Sequence, residues 1–476
     1  MSAKIVIIGA GAAGIAAATR LYEKGFRNVQ ILEATDRIGG RVATVTFGEN
    51  VVDLGAQWCH GEKNNVVHEL AAPLGLLESS VVGRENMFIR DNGDVVPKKI
   101  SDRLMVIAEA LVESDEFASY DGTVGDFVTE RFIKVMQEEK NLDIDRELVQ
   151  QFLLCYHNYQ RGYNAFDSWY NVTASGLAAY NECEGDQSLT WKGKGSKSIL
   201  DLLMKNHPAQ NAEPIPLDDK IVFNEFVTNI NWNKGPDNPL TVSCVDGTKY
   251  DANHVILTIS LGVLKENITT LFTPQLPIMK QNAIQGIYFG AVNKIIMEFE
   301  TPFWIDMGNT FSLLWDAEEL EKLRGTKYAW TEGISTFYKE DRQPKLLGAW
   351  MIGKEGRQSE LLDDKEVIAG IMFILRKFFK SKDIEEPISI LRSKWSTDRN
   401  FRGTYSSPSL ASDQLGTGPD DLAHPLTDCL GTPALLFAGE ATNKGRYGTV
   451  NGAIETGWRE ADRIAEFYGK QKAAVE

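Results

Sequence analysis

Residues Lys4 to Gly14 read KIVIIGAGAAG, and the next apolar run, VQILEA, carries Glu33 at its end. The unbroken aliphatic stretch Ile5–Ile8 predicts a strand buried on both faces. It turns through Gly9, Gly11 and Gly14 into an Ala-rich helix from Ile15 to Tyr22. Gly9 suits the tight turn, Gly11 lets backbone approach a pyrophosphate, and Gly14 lets the helix pack on the strand. The helix N-terminus adds unpaired N–H groups and partial positive charge for the phosphates. Glu33, about 20 residues on and at the end of the second strand, stands where a carboxylate takes a ribose hydroxyl. The fold class expected is therefore α/β, with a Rossmann-like dinucleotide-binding unit.

After Glu33 the chain continues ATDRIGGRVAT, with Arg37, Gly39, Gly40 and Arg41. From the residues alone, these arginines serve equally as solvated turn residues or as diphosphate partners. The R-x-G-G-R segment resembles the flavin amine oxidase family, which binds FAD rather than a nicotinamide. The far end agrees: LLFAGEAT (Leu435 to Thr442) is a strand ending in Gly439-Glu440, and GRYGTVNGAIETGWREADRI opens a helix at Thr449. In the family the acid at Glu440 contacts FAD ribityl or phosphate groups, and the helix N-terminus, at Thr449 and Val450, faces the flavin pyrimidine. The resemblance implies that two motifs more than 400 residues apart meet on one cofactor.

The bulk properties fit a two- or three-domain enzyme: 476 residues, 43% hydrophobic and 24% charged. The longest apolar runs fall short of a bilayer, so no membrane association is expected. The N-terminal apolar residues belong to the first strand, which argues against a signal peptide. Five cysteines (Cys59, Cys155, Cys183, Cys244, Cys429) lack metal-ligand or CxxC spacing, so no metal site is expected and the cytoplasm is the expected compartment. A net charge of −16 disfavours nucleic acid as a partner and suits a small cationic amine, although acidity also serves solubility. The oligomeric state is left open.

Three separated pieces are expected to build the FAD-binding domain: 1–75, 189–264 and 395–476. The middle piece holds the Gly-punctuated LTWKGKGSKSILDLL (Leu189 to Leu203) and a hairpin signal at Asp246-Gly247. Val227 falls where the family passes a strand backbone beside the adenine. Residues 76–188 and 265–394 are expected to form a substrate-binding domain of mixed sheet and helices. There, ISDRLMVIAEALVESDEF and RELVQQFLLCYHNYQRGY show helical periodicity, AVNKIIMEFE, KLLGAWMIG and PISILRSKW read as strands, and Asp364 to Phe379 reads as a helix.

Lys294, within GAVNKIIMEFE, is the leading catalytic candidate. A lysine inside an apolar strand is costly to bury and loses basicity when dried, yet alternation alone does not identify its face. The resemblance implies that it holds a water against flavin N5. GAQWCHGEKN (Gly55 to Asn64) is similar to the G-A-x-W-x-H-G of the polyamine oxidase branch. It implies His60 beside the flavin near the substrate nitrogen, favouring the deprotonated amine, with Gln57 and Trp58 walling the site. Trp395 and Tyr405 match R-x-x-W followed by G-S/T-Y-S, implying aromatic rings that orient an amine. Thr404 stands where mitochondrial monoamine oxidases carry the cysteine bonded to FAD, so non-covalent FAD is expected. The second cage position maps to Thr449, as in animal spermine and N-acetylpolyamine oxidases. In SGLAAYNECEGD (Ser175 to Asp186) Ala179 takes the place of an acid that animal spermine oxidases use for the distal amine, leaving Glu182 and Glu184 nearby.

The resemblance implies oxidation of a polyamine by hydride transfer to flavin N5, imine hydrolysis to amine and aldehyde, and reoxidation by O₂ to H₂O₂. Within the superfamily a monoamine oxidase and a histone-lysine demethylase are the rivals. Outside catalysis, the fold also suits a binding protein such as a Rab GDP-dissociation inhibitor.

Overall fold

A computed structural model describes residues 3–139, 144–233, 239–381, 383–428 and 431–475; Cys429 lies outside them. The strand Ile5–Ile8 sits inside a six-stranded sheet ordered Leu426–Thr427, Pro433–Phe437, His254–Leu257, Ile5–Ile8, Val29–Leu32 and Ile221–Val222. All pairings are parallel except that of the edge strand Leu426–Thr427. Parallel sheets are covered on both faces, which is why Ile5–Ile8 and Pro433–Phe437 are continuous apolar runs, buried at every residue.

One face carries the helix Ala12–Glu23 and the C-terminal helix Val450–Val475. A Cβ at Gly14 would lie 2.0 Å from the Gly9 carbonyl oxygen, and one at Gly457 would lie 2.2 Å from that of Ala13. These two contacts let the first helix pack on its strand and the last helix pack on the first. Arg20 then grips both carboxylate oxygens of Asp462 at 3.0 Å. The two ends of the chain are thereby joined.

The opposite face is covered by a small sheet of Lys249–Ala252, Leu240–Cys244, Val227–Asn231 and Phe272–Thr273, with Asp246-Gly247 turning its hairpin as expected. One expectation moves. Ile268, Leu271, Leu276, Ala283 and Ile284, placed by sequence in the substrate-binding domain, are buried in this core with Ile230, Val255 and Leu435. The helix Ile278–Gly286 packs Ala283 and Ile284 into this core, which therefore continues past residue 264. The edge at 75/76 is also crossed, since Trp58–Cys59 and Leu77–Ser79 both pair with Leu189–Trp191.

A second six-stranded sheet runs Ser389–Arg392, Val292–Glu298, Leu346–Ile352, Ile334–Lys339, Thr310–Leu314 and Asn86–Arg90. The helix Asp364–Phe378, started by an Asp363/Glu366 capping box, covers one face. The helices Lys98–Val112, Val124–Glu138 and Arg146–Asn164 form their own core beside it. The periodic run 100–117 is interrupted at Ser114, whose Oγ accepts the Phe117 N–H and caps a new turn. Among the described residues no helix is long and apolar enough to cross a membrane.

In this helical layer His157 stacks on Trp169 (centroids 4.6 Å apart) and accepts the Trp169 backbone N–H at Nε2. Burial lowers its pKa to about 3 from 6.5, with Arg161 adding to the effect. A histidine that folds neutral loses stability as pH falls through its unfolded pKa, because only the unfolded chain takes up the proton. We expect His157 to cost about 1.4 kcal/mol at pH 5.5 relative to pH above 7.5. Denaturant titrations at the two pH values should therefore show a smaller acid loss for His157→Asn than for wild type.

Candidate active site

Between the two sheets lies a cavity of about 1020 Å³. Gly9, Gly11, Glu33, Arg41, Gln57, Trp58, His60, Val227, Lys294, Trp395, Tyr405, Glu440, Thr449 and Val450 all line it. Gly14 does not, because it lies under its helix.

The glycine turn fits the expected dinucleotide. The helix Ala12–Glu23 begins at Gly11 without a side-chain cap, and Gly11, Ala12 and Ala13 border the cavity. Initial helix N–H groups have no partner within a helix, so they remain available to phosphate. Added to Gly11, a Cβ would come no nearer to protein than 3.8 Å, so packing does not require this glycine; the room beside it is cavity. Glu33 accepts N–H groups from Ala10 (2.8 Å) and Thr35 (2.9 Å) and the Thr35 hydroxyl (2.7 Å). An ionised carboxylate has about four acceptor positions, which leaves one for a ribose hydroxyl.

Glu440 borders the cavity and makes four hydrogen bonds to protein. Its Oε1 accepts from Arg41 Nη1 at 2.8 Å, and its Oε2 accepts from Ser406 Oγ (2.6 Å), Ser406 N (3.2 Å) and Gly448 N (2.8 Å). Arg41 Nη1 also donates to the Thr404 carbonyl at 2.6 Å. The acid ties the N-terminal R-x-G-G-R segment to the start of the strand Ser406–Ser407 and to Gly448. Thr449 likewise caps: its Oγ1 donates to Arg446 O and accepts the Gly452 N–H. The aromatic nearest in sequence is Tyr447, edge-on to Tyr180 at 5.1 Å, with its buried hydroxyl unpartnered.

Lys294 lies on a central strand covered on both faces, which alternation could not reveal. Asn293 points the other way, donating to Glu360 Oε1 at 2.7 Å. The Lys294 Nζ donates to Asp53 O (2.8 Å), Gly55 O (2.9 Å) and Gln57 Oε1 (2.5 Å), between the rings of Trp58 and Trp350 at 5.2 and 5.4 Å. All three ammonium hydrogens have protein acceptors, so a water held by Lys294 would have to share one. Burial pushes its pKa down, opposed by the negative charges of Glu340 and Asp53.

His60 is half-buried, and its Nδ1 lies 2.7 Å from the Gln187 carbonyl. A carbonyl only accepts, so Nδ1 carries the proton and Nε2 is left as an acceptor. Burial lowers its pKa below 6.5, so the imidazole stays neutral more readily than a free one. The Tyr405 hydroxyl donates to Gly162 O at 2.6 Å, and Trp395 packs edge-on to Phe401 at 5.0 Å. The Thr404 hydroxyl is engaged with Gly290 O and Val292 N.

Sequence reasoning missed Glu340, behind the cavity wall, and Glu109 and Glu113, which line the cavity with Glu182. Glu340 follows a strand in FYKED, a pattern that reads as a solvated turn. Glu109 lies on the amphipathic helix Lys98–Val112 and Glu113 caps its C-terminus, and nothing local marks them.

A family model described as flavin containing amine oxidoreductase matches residues 12–465. The human (Homo sapiens) peroxisomal N(1)-acetyl-spermine/spermidine oxidase is 31% identical, covering 98% of this chain and 96% of that protein. A probable polyamine oxidase of Arabidopsis thaliana is 27% identical, covering 98% of each. Among solved structures, a putrescine oxidase redesigned in its cofactor binding shares the fold with a TM-score of 0.68 at 20% identity, covering 97% of this chain and 98% of that one.

Proposed function

Because the chain belongs to the family of flavin-containing amine oxidoreductases, we propose that its substrate is a polyamine, spermine or an N1-acetylated spermine or spermidine. The products would be an amine, an aldehyde and H₂O₂. The observation that carries this reading is the acidic lining of the cavity: Glu109, Glu113 and Glu182 border the same cavity as Lys294 and Tyr405. Burial raises the pKa of Glu109 and of Glu182, and Glu113 raises both further. Clustered carboxylates repel unless a cation joins them, and a substrate with a second amine supplies one. Tyr159, Tyr163 and Tyr180 line the cavity as well and offer ring faces to a methylene chain carrying cationic nitrogens. The relatives named for polyamine oxidation support the same choice.

FAD, when bound, accepts a hydride from the carbon next to the amine nitrogen and passes the electrons to O₂. The glycine turn and the start of the first helix would hold its diphosphate, with Glu33 on a ribose. Thr404 has an engaged hydroxyl in place of a thiol, which supports non-covalent binding. His60, neutral with Nε2 free, would help keep the reacting amine deprotonated. Lys294 would offer a proton-bearing group at the flavin edge, while Trp395 and Tyr405 narrow the approach. Four described cysteines are free thiols, which supports our placing the reaction in the cytoplasm.

Purified protein should be yellow, should release FAD on denaturation, and should bleach anaerobically with spermine or its N1-acetyl forms. Peroxide release across spermine, spermidine, their N1-acetyl forms and a monoamine ranks the substrates. A yellow protein bleached by the monoamine and by no polyamine would overturn the reading.

A further inference from the structure

The Lys294–Gln57 hydrogen bond continues to a residue outside the cavity. Gln57 Nε2 donates to Glu340 Oε2 at 3.1 Å, while Gln57 Oε1 accepts from Lys294 Nζ at 2.5 Å. Glu340 is only 7% exposed, and its second oxygen, Oε1, is buried without a hydrogen-bond partner. An ammonium can only donate and a carboxylate can only accept, so the amide between them is held in one orientation. We propose that Glu340 is a positioning residue for Lys294, fixing the Gln57 amide and supplying the negative charge opposite the Lys294 ammonium.

A buried carboxylate whose second oxygen lacks a full hydrogen bond is costly to keep. Retaining it is explained if the cation two bonds away needs a counter-charge. The other groups facing this pair are accounted for. The Asp53 carboxylate is held by Thr44 and by the Ser196 hydroxyl and N–H, so it offers Nζ only its backbone carbonyl and a more distant charge. The Asp341 carboxylate binds Ser80 Oγ and Val81 N. The Tyr338 hydroxyl is neutral and faces the Glu340 carboxylate, its pKa raised by burial and then by the charge and hydrogen bonding of Glu340. Trp58 and Trp350 contribute ring faces alone. Burial raises the pKa of Glu340 as Lys294 opposes it, the mirror of what burial does to Lys294. The two groups therefore stabilise each other's charged forms.

The inference rests on reading Lys294 as the residue at the flavin's reactive edge, but its test does not. In protein labelled with ¹³Cε-lysine, with Lys294→Met assigning the resonance, the Lys294 titration is followed in the apoprotein. Glu340→Gln keeps a hydrogen-bond acceptor for Gln57 and removes the charge, so the titration should move down by about one unit. Glu340→Asp keeps the charge and should titrate within a few tenths of a unit of wild type. In FAD-loaded enzyme the pH profile of anaerobic flavin reduction should shift by the same amount in Glu340→Gln. A wild-type Lys294 titration in Glu340→Gln overturns the proposal. So does a one-unit fall in Glu340→Asp, which is decisive even if the glutamine variant does not fold. Failure of every amine to reduce the flavin would overturn the proposed function and leave the titration result standing.

Discussion

Lys294→Met should slow flavin reduction or reoxidation by roughly 10²- to 10⁴-fold while FAD stays bound, the range typical of a positioned proton-handling or electrostatic group. Methionine keeps an unbranched chain one heavy atom shorter and loses all three donated hydrogen bonds, to Asp53 O, Gly55 O and Gln57 Oε1. Each acceptor left dry costs about 1–3 kcal/mol, so thermal stability should drop as well. Two measurements separate the effects: thermal unfolding reports the clamp on residues 53–57, and anaerobic stopped flow at a temperature where the variant is fully folded reports the chemistry. Wild-type rates in a destabilised variant would reduce Lys294 to a structural tie.

Glu440→Ala should be the most damaging change to cofactor binding, although Glu440 makes its hydrogen bonds to protein. It removes the acceptors of Arg41, Ser406 and Gly448 at once. Breaking such a pair leaves an unpaired charge and idle donors, worth about 3 kcal/mol here, at the low end for buried pairs because Arg41 is partly solvated. The three segments it joins each border the cavity, so FAD affinity should fall at least tenfold. Denaturant unfolding of the apoprotein together with titration of FAD checks both arms. Unchanged stability and unchanged affinity would mean that the tie is dispensable.

Much of the site was legible because its signals are local. A glycine turn between a buried strand and a helix needs no tertiary information, and the Gly9–Gly14 motif, Glu33 and Arg41 do border the cavity or support it. Asp246-Gly247 declared its hairpin for the same reason. Lys294 stood out as a cation in an apolar run, but its burial depends on what covers the strand, which the strand itself does not encode. His60 was visible as a residue, whereas its lowered pKa comes from the desolvation that neighbouring segments impose. Glu440 was recognised as belonging to the site and assigned to the cofactor. Its carboxylate also ties partners 34 and 399 residues away, which no local signal shows.

The chain alone determined the α/β class, the nucleotide turn and the apolar strands, since each follows from periodicity and steric freedom within about thirty consecutive residues. Folding decided which charges would be dry. Glu340 and Asp53 look like ordinary polar residues in the sequence, Lys294 stands out there only by its apolar neighbours, and the ionisation of all three is shifted only when the folded chain buries them. Burial and electrostatic pairing are properties of the assembled neighbourhood, so the protonation chemistry of this site is written at the tertiary level.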